Sequence, residues 1–336
     1  MSAYAELQVA SNYSFLRGAS HPQELIERAA ELGHCAIALT DRNSLAGVVR
    51  AHVAARESTT RLIPGARLDL TAELDAPDEH SGPSFLCLPT DRAAYGRLSS
   101  LLTLGKRRAP KGQCWITLDD VLGHARGQIL IALPPDEVAH EAAFATMLET
   151  FSNDVSAPCY LAAHHLYRGD DARRLVRLEA IAEHCGTPLV ASNDVHAHDA
   201  SRRALQDVLT CIREHCTIDT AGWRLQANAE RHLKSAAEMA RLFVRHADAV
   251  AQSVEIADAC RFNLDELRYE YPAAPVSAGR TVQEELAHLS WQGAAARWPD
   301  GVPAKVRAQI EHELELIGAL GYAPYFLTVY DIVCFA

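Results

Sequence analysis

Short apolar, β-branched runs alternate with helical patterns along most of this chain, and that alternation narrows its fold more than any other feature. The runs are 4–10 (YAELQVA), 35–40 (CAIALT), 62–71 (LIPGARLDLT), 84–89 (SFLCLP), 128–133 (QILIAL), 158–163 (PCYLAA) and 188–192 (PLVAS). Between them the sequence predicts helices over 22–33, 44–56, 91–104, 136–150 and 171–185, with two more near 200–214 and 235–259. Strands spaced by helices of this length point to βα units and a parallel sheet. Seven strands in series favour a barrel over an open sheet, although spacing does not by itself decide. In such a barrel functional groups gather at the C-terminal strand ends. Local signals agree: His21-Pro22 opens a helix where the missing proline N–H costs nothing, and Gly33 closes it.

After Tyr271 the pattern stops. Residues 272–280 (PAAPVSAGR) have no periodicity and read as a linker. Helices resume at 281–297 and 303–320, and the apolar run GYAPYFLTVYDIV reads as core. The expected division is a barrel-like domain over 1–271, a linker over 272–280, and the front of a second domain over 281–336 that continues past Ala336. About half of the 336 residues are apolar (49%), enough for a sizeable core. The formal net charge of −11 argues against this segment being the main grip on duplex DNA, which draws its affinity from Lys and Arg. Nine cysteines without a CxxC pair read as small buried apolar residues rather than a zinc ribbon. No run reaches the ~20 apolar residues of a membrane span, and no signal peptide is evident, so a cytoplasmic location is expected. There is no GxGxxG or GxxxxGK[ST] phosphate loop and no GxSxG elbow. Asp119-Asp120 and Asp170-Asp171 sit where a helix N-terminus favours negative charge.

Several segments, in order, resemble the start of the bacterial C-family DNA polymerases, and more closely the error-prone paralogue of the replicative polymerase III alpha subunit. They are YAELQVASNYSFLRGASHPQELIERAAELG, ALTDRNSLAGVVR, VASNDVHAHDASRRALQDVLTCIR, ERHLKSAAEMARLF, CRFNLDELRYEYP and ELELIGALGYAPYFLTVYDIV. The resemblance implies a PHP domain, a distorted seven-stranded β/α barrel in the α/β class, followed by a helical segment that starts the polymerase portion. Intact PHP domains resemble metal phosphoesterases with two or three divalent ions, and some relatives use them as 3′–5′ proofreading exonucleases.

On that pattern the metal-ligand positions are largely altered here. The two first-strand histidines fall on Gln8 and Ala10, the loop aspartate on Arg17, and Thr-Asp-His on Thr40-Asp41-Arg42. The third-strand glutamate falls on Arg67 and the fourth-strand histidine on Phe85, leaving Asp41, Asp194 and His196 as survivors. A cluster of divalent ions needs many converging carboxylates and imidazoles, so no resident metal and no catalytic residue are expected, beyond weak adventitious binding near His196 and His198. The expected replacement is an inward-turned arginine, from among Arg17, Arg42 and Arg67, pairing with Asp41 or Asp194. Of His164-His165, at most one side chain faces a site.

The basic loop LGKRRAPKGQ (Lys106, Arg107, Arg108, Lys111) is a candidate contact for DNA or a partner protein, but no aromatic is interleaved with it, so stacking on a single strand is not supported. The favoured reading is therefore a non-catalytic, degenerate PHP domain of an error-prone translesion polymerase, stabilising the polymerase and docking partners in DNA damage tolerance. A residual metal-dependent phosphoesterase or 3′–5′ exonuclease, and a DNA-contacting module, stand as alternatives. Expected partners are the rest of the polymerase chain, damage-tolerance accessory proteins and the sliding clamp, with DNA held mainly through other domains and no membrane contact. The full-length polymerase is expected to use Mg2+.

Overall fold

The structure is a computed structural model that describes residues 3–72, 82–268 and 276–336. The expected linker residues 272–275 lie outside the described residues. The chain divides into two units, Met1–Leu267 and Arg268–Ala336.

The first unit carries one seven-stranded sheet in sequence order: β1 (Ala5–Val9), β2 (Ala36–Arg42), β3 (Arg61–Asp69), β4 (Ser84–Pro89), β5 (Gln128–Leu133), β6 (Cys159–Ala163) and β7 (Leu189–Ala191). Helices α1 (Pro22–Glu31), α2 (Val48–Arg56), α3 (Arg92–Arg108), α4 (Leu118–His124), α5 (Glu141–Asp154) and α6 (Asp171–Cys185) connect the strands. After β7 come α7 (Arg203–Arg213), α8 (Ile218–Ala221), α9 (Ala236–Leu242) and α10 (Ala247–Ala259). Helix α1 starts on Pro22 and is followed by Gly33 at φ +73°; α6 ends on Gly186 at φ +63°, a left-handed cap that glycine adopts without strain.

The seven strands lie where the apolar runs predict them, but the sheet is not all parallel. β4 runs antiparallel to both β3 and β5. The register sets Asp69 beside Ser84, so the chain returns beside the strand it has just left, whereas a parallel neighbour needs a helical crossover. The sheet curls, and β1 meets the segment after β7: Ala10 N–H donates to the Val195 carbonyl at 2.9 Å, and Val195 N–H to that of Gln8 at 2.9 Å. That seam places residues 193–196 beside the C-terminal end of β1.

Alternating side chains split the core between the faces of the sheet. Ala38, Ile63, Leu86, Leu88, Ile129 and Ile131 pack with Ile256 and Ala257 of α10. Leu68, Phe85, Cys87, Leu130 and Ala132 pack against α3, α5 and α6, with the Phe85 and Phe151 ring centroids 4.7 Å apart. Phe85 is thus sealed between sheet and helices and cannot mark a ligand position. Its neighbour Ser84 points toward the site instead, donating to Asp69 at 2.6 Å.

The second unit contains α11 (Val282–Arg297), α12 (Ala304–Ala319) and α13 (Ala323–Phe335). Its buried centre is small: Leu286, Ala323 and Leu327. The run GYAPYFLTVYDIV therefore does not pack wholly as core. One seam of α13 is covered by α11, and Tyr325, Phe326, Val329, Tyr330, Ile332 and Val333 stay exposed. No single helix among the described residues is long and apolar enough to cross a membrane.

Candidate functional site

Residues from β1, the β6 end and the β7–α7 connection meet at one buried point. Gln8 Nε2 donates to Asp194 Oδ1 at 2.6 Å, and Gln8 Oε1 lies 2.8 Å from His164 Nε2, so one neutral amide bridges carboxylate and imidazole. His196 Nε2 lies 3.6 Å from the same Asp194 oxygen. Arg231 donates from Nη1 to Asp194 Oδ2. Of the adjacent histidines, His164 faces this site while the His165 ring lies edge-on to Tyr167. His198 turns away to Ser20, 2.8 Å from its Oγ, so it does not converge with His196.

The local chain explains how Arg231 arrives. Asn193 Nδ2 donates to the carbonyls of Glu230 at 2.7 Å and His232 at 2.6 Å, clamping the 230–232 segment beside the seam. His196 N–H donates to the Arg231 carbonyl at 2.9 Å. Asp194 itself has φ +44°, a left-handed conformation that aspartate tolerates better than most residues. Burial alone raises its carboxyl pKa, but the Arg231 charge and the His196 bond outweigh this and hold it well below the usual carboxylate range. Burial drives the His164 imidazole down to about 4, so it is neutral at physiological pH.

A second network holds Asp41. Ser11 N–H donates to Oδ1 at 2.8 Å, Ser11 Oγ to Oδ2 at 2.8 Å and Ser14 Oγ to Oδ1 at 2.7 Å. These donors are neutral, and burial raises the Asp41 pKa. The serines sit in the β1–α1 loop, folded tightly onto itself: a Cβ on Gly18 would lie 2.0 Å from the Ser11 carbonyl oxygen. Backbone cannot yield as a flexible side chain can, so Gly18→Ala is expected to cost at least about 1–3 kcal/mol, the usual range for overpacking. Urea unfolding of the variant checks this; an unchanged midpoint would show that the loop relaxes freely.

The third network centres on Asp69, which sequence reasoning passed over although it stands two residues from Arg67. Arg42 Nε donates to Oδ2, and Arg67 Nε to Oδ1 at 2.7 Å. Against a burial effect that raises it, the Arg67 and Arg42 charges hold the Asp69 carboxyl far down. The expected pairing of Arg17, Arg42 or Arg67 with Asp41 or Asp194 is thus replaced: Arg42 and Arg67 bind Asp69, Arg231 binds Asp194, and Asp41 has only neutral donors. Arg17 makes no ion pair among the described residues. The reason is reach. Arg42 and Arg67 are register partners on neighbouring strands, and Asp69 lies two residues along the same strand face. Of the basic loop, Arg108 is taken by Asp120 at 2.8 and 3.1 Å.

The donor set does not fit a divalent cluster. Ala10 offers no donor. Both oxygens of Asp194, both of Asp41 and the Nε2 of His164 already have protein partners, and Arg231 brings a positive charge to where a cation would sit. Among the described residues no group of three or more His, Cys, Asp or Glu side chains is arranged so that it could hold a metal ion.

Comparison with known proteins agrees with the order of these parts. A PHP domain model matches residues 6–165, and a model described as the bacterial DNA polymerase III alpha NTPase domain matches 284–336. An error-prone DNA polymerase of Caulobacter vibrioides is 49% identical over 98% of this chain and 30% of its own length. One of Rhodopseudomonas palustris is 47% identical over 99% of this chain and 30% of its own. The chain thus spans about a third of the length of these relatives. Among solved structures, a putative metal-dependent phosphoesterase from Bifidobacterium adolescentis aligns with a TM-score of 0.44 at 15% identity, over 58% of this chain and 88% of that one. A PHP domain match followed by a polymerase III alpha match, in a chain 47–49% identical over nearly all of its length to these two proteins, makes this chain similar to one portion of the bacterial error-prone DNA polymerases.

Proposed function

We propose that this segment is a degenerate, non-catalytic PHP domain of a translesion DNA polymerase, which stabilises the polymerase region and docks partner proteins during DNA damage tolerance. The observation that carries the reading is the occupation of the carboxylates by the chain's own cations: Arg231 on Asp194, and Arg42 with Arg67 on Asp69. Phosphoester hydrolysis by such a barrel needs two metal ions that clamp the attacking and leaving oxygens. Here guanidinium groups supply the balancing charge, but they present no open coordination position and cannot lower the pKa of a bound water. In the whole protein, nucleotidyl transfer with Mg2+ would belong to regions outside this chain, with damage-tolerance accessory proteins and the sliding clamp as partners in the cytoplasm. Excision would work against an enzyme that must leave mismatched insertions in place.

The test is elemental analysis of the chelator-treated chain after exposure to Mn2+ and Zn2+ and desalting. Retention below about one ion per chain is expected, since a working phosphoesterase centre needs two. Two or more retained ions, with Mn2+-dependent hydrolysis of a phosphodiester, would move the residual 3′–5′ exonuclease reading to the front.

A further inference from the structure

Beside the Asp194 pocket, on the same rim, lies an open cleft of about 680 Å3. Its walls come from five separate parts of the chain: the β1–α1 loop, the ends of β2 and β3, the end of α3 with the loop after it, and the end of α7. Among the described residues they bring Arg17, Arg42, Lys106, Lys111 and Arg213 together against a single carboxylate, Asp69, which Arg42 and Arg67 already engage. In a chain of net charge −11 this is a marked local reversal. Arg17 shows the crowding: burial and the nearby Arg42 and Arg213 charges bring its pKa down to about 10. Lys106 and Lys111 are exposed, and neither has an ion-pair partner among the described residues.

Two aromatics line the same cleft, Tyr13 and Phe15. Phe15 is 80% exposed, an unfavourable place for a large apolar ring with nothing to cover. Its loop is fixed rather than loose: Arg213 Nη1 donates to the Leu16 carbonyl at 2.9 Å, and Arg17 N–H to that of Ser14 at 2.9 Å. The volume is that of cavities holding organic ligands, about 300–1,000 Å3, and exceeds what a lone inorganic anion fills. Cations along a groove with an aromatic at its edge match the requirements of an unpaired nucleic-acid strand: phosphates for the charges and a base face for the ring.

We infer that this cleft binds the phosphodiester backbone of single-stranded DNA, with Lys106, Lys111 and Arg17 on phosphates and Phe15 stacking on a base, holding the strand without cleaving it. Two of the cations, Arg17 and Arg42, occupy positions that the resemblance assigns to metal ligands, so the changes that remove the metal also build the cleft. The proposal extends beyond the structural role above and does not depend on it, since binding and metal content are read separately.

Fluorescence anisotropy of a labelled dT 12-mer with the 1–336 chain tests it. Binding should weaken with salt at a slope of about −0.7 per phosphate contacted, and Lys106→Glu with Lys111→Glu should reduce that slope by about 1.4. Phe15→Ala should weaken the dT 12-mer at least about 5-fold and leave an abasic 12-mer unchanged. All three side chains are exposed, so the variants should melt with the parent by circular dichroism; if the double variant does not, Lys111→Gln alone should reduce the slope by about 0.7. No binding, binding insensitive to the lysine changes, a duplex bound as tightly as the single strand, or displacement by pyrophosphate with no effect of Phe15→Ala would each overturn the proposal, the last leaving a simple anion site.

Discussion

Arg231→Ala is expected to destabilise the first unit by about 3–5 kcal/mol, because it leaves the buried Asp194 carboxylate without its cation. Chemical denaturation followed by circular dichroism reads the loss. Its pH dependence separates this cause from simple loss of packing. In the parent the Asp194 pKa is depressed by folding, so the stabilisation is present above the unfolded value of about 3.9 and is lost as pH falls through the folded one. In the variant, burial acts without Arg231 and should raise the carboxyl pKa, so protonation relieves the penalty. The gap between parent and variant should therefore narrow as pH falls from 7 toward about 4. Adding Asp194→Asn should recover part of the loss at neutral pH. A constant gap across that range, or no recovery, would mean that Arg231 acts through packing and its carbonyl contacts alone.

Asp69→Asn is expected to cost about 3 kcal/mol or more. Two arginines share that carboxylate, and the amide keeps its shape without its charge. The Asp69 pKa is also depressed, so its contribution persists above about pH 3.9 and falls away only below it, toward the folded value. Parent and variant should thus keep a constant separation from pH 7 to about 4, unlike the Arg231 case. Urea titrations at several pH values distinguish the two. The same substitution removes the one carboxylate that lines the cationic cleft among the described residues, so the dT 12-mer should bind the variant more tightly, provided it is folded under the assay conditions. Weaker binding by a folded Asp69→Asn chain would show that Asp69 orders Arg42 for the strand rather than opposing it.

These networks show which parts of the site a linear reading reaches. Gln8, Asp194 and His196 meet in one pocket, and Arg42 and Arg67 turn inward, as residues aligned on strand ends can be expected to do. Their partners are a different matter. Phe85 sits one pleat out of place for a ligand, because a shift of one residue moves a strand side chain to the other face. His164, taken with its neighbour as an ambiguous pair, lies against the Gln8 amide once β6 is set beside β7. The GARLDL segment did hold a clue to Asp69: a carboxylate two residues beyond an arginine on one strand shares its face. Arg231 offered none, since it lies in an irregular segment 37 residues from the aspartate it balances.

The sequence by itself determined the number, order and approximate bounds of the strands. Apolar periodicity and turn residues act over windows of a few residues, where backbone hydrogen bonding and burial leave little choice. Tertiary structure alone decided the reversed direction of β4, the assignment of each cation to its carboxylate, and the placement of Phe15 beside Lys106 and Lys111. A strand's direction depends on how its connection returns, and an ion pair on where two distant loops come to rest. The basic loop has no aromatic of its own; Phe15, about ninety residues earlier, is carried to the same rim by the fold.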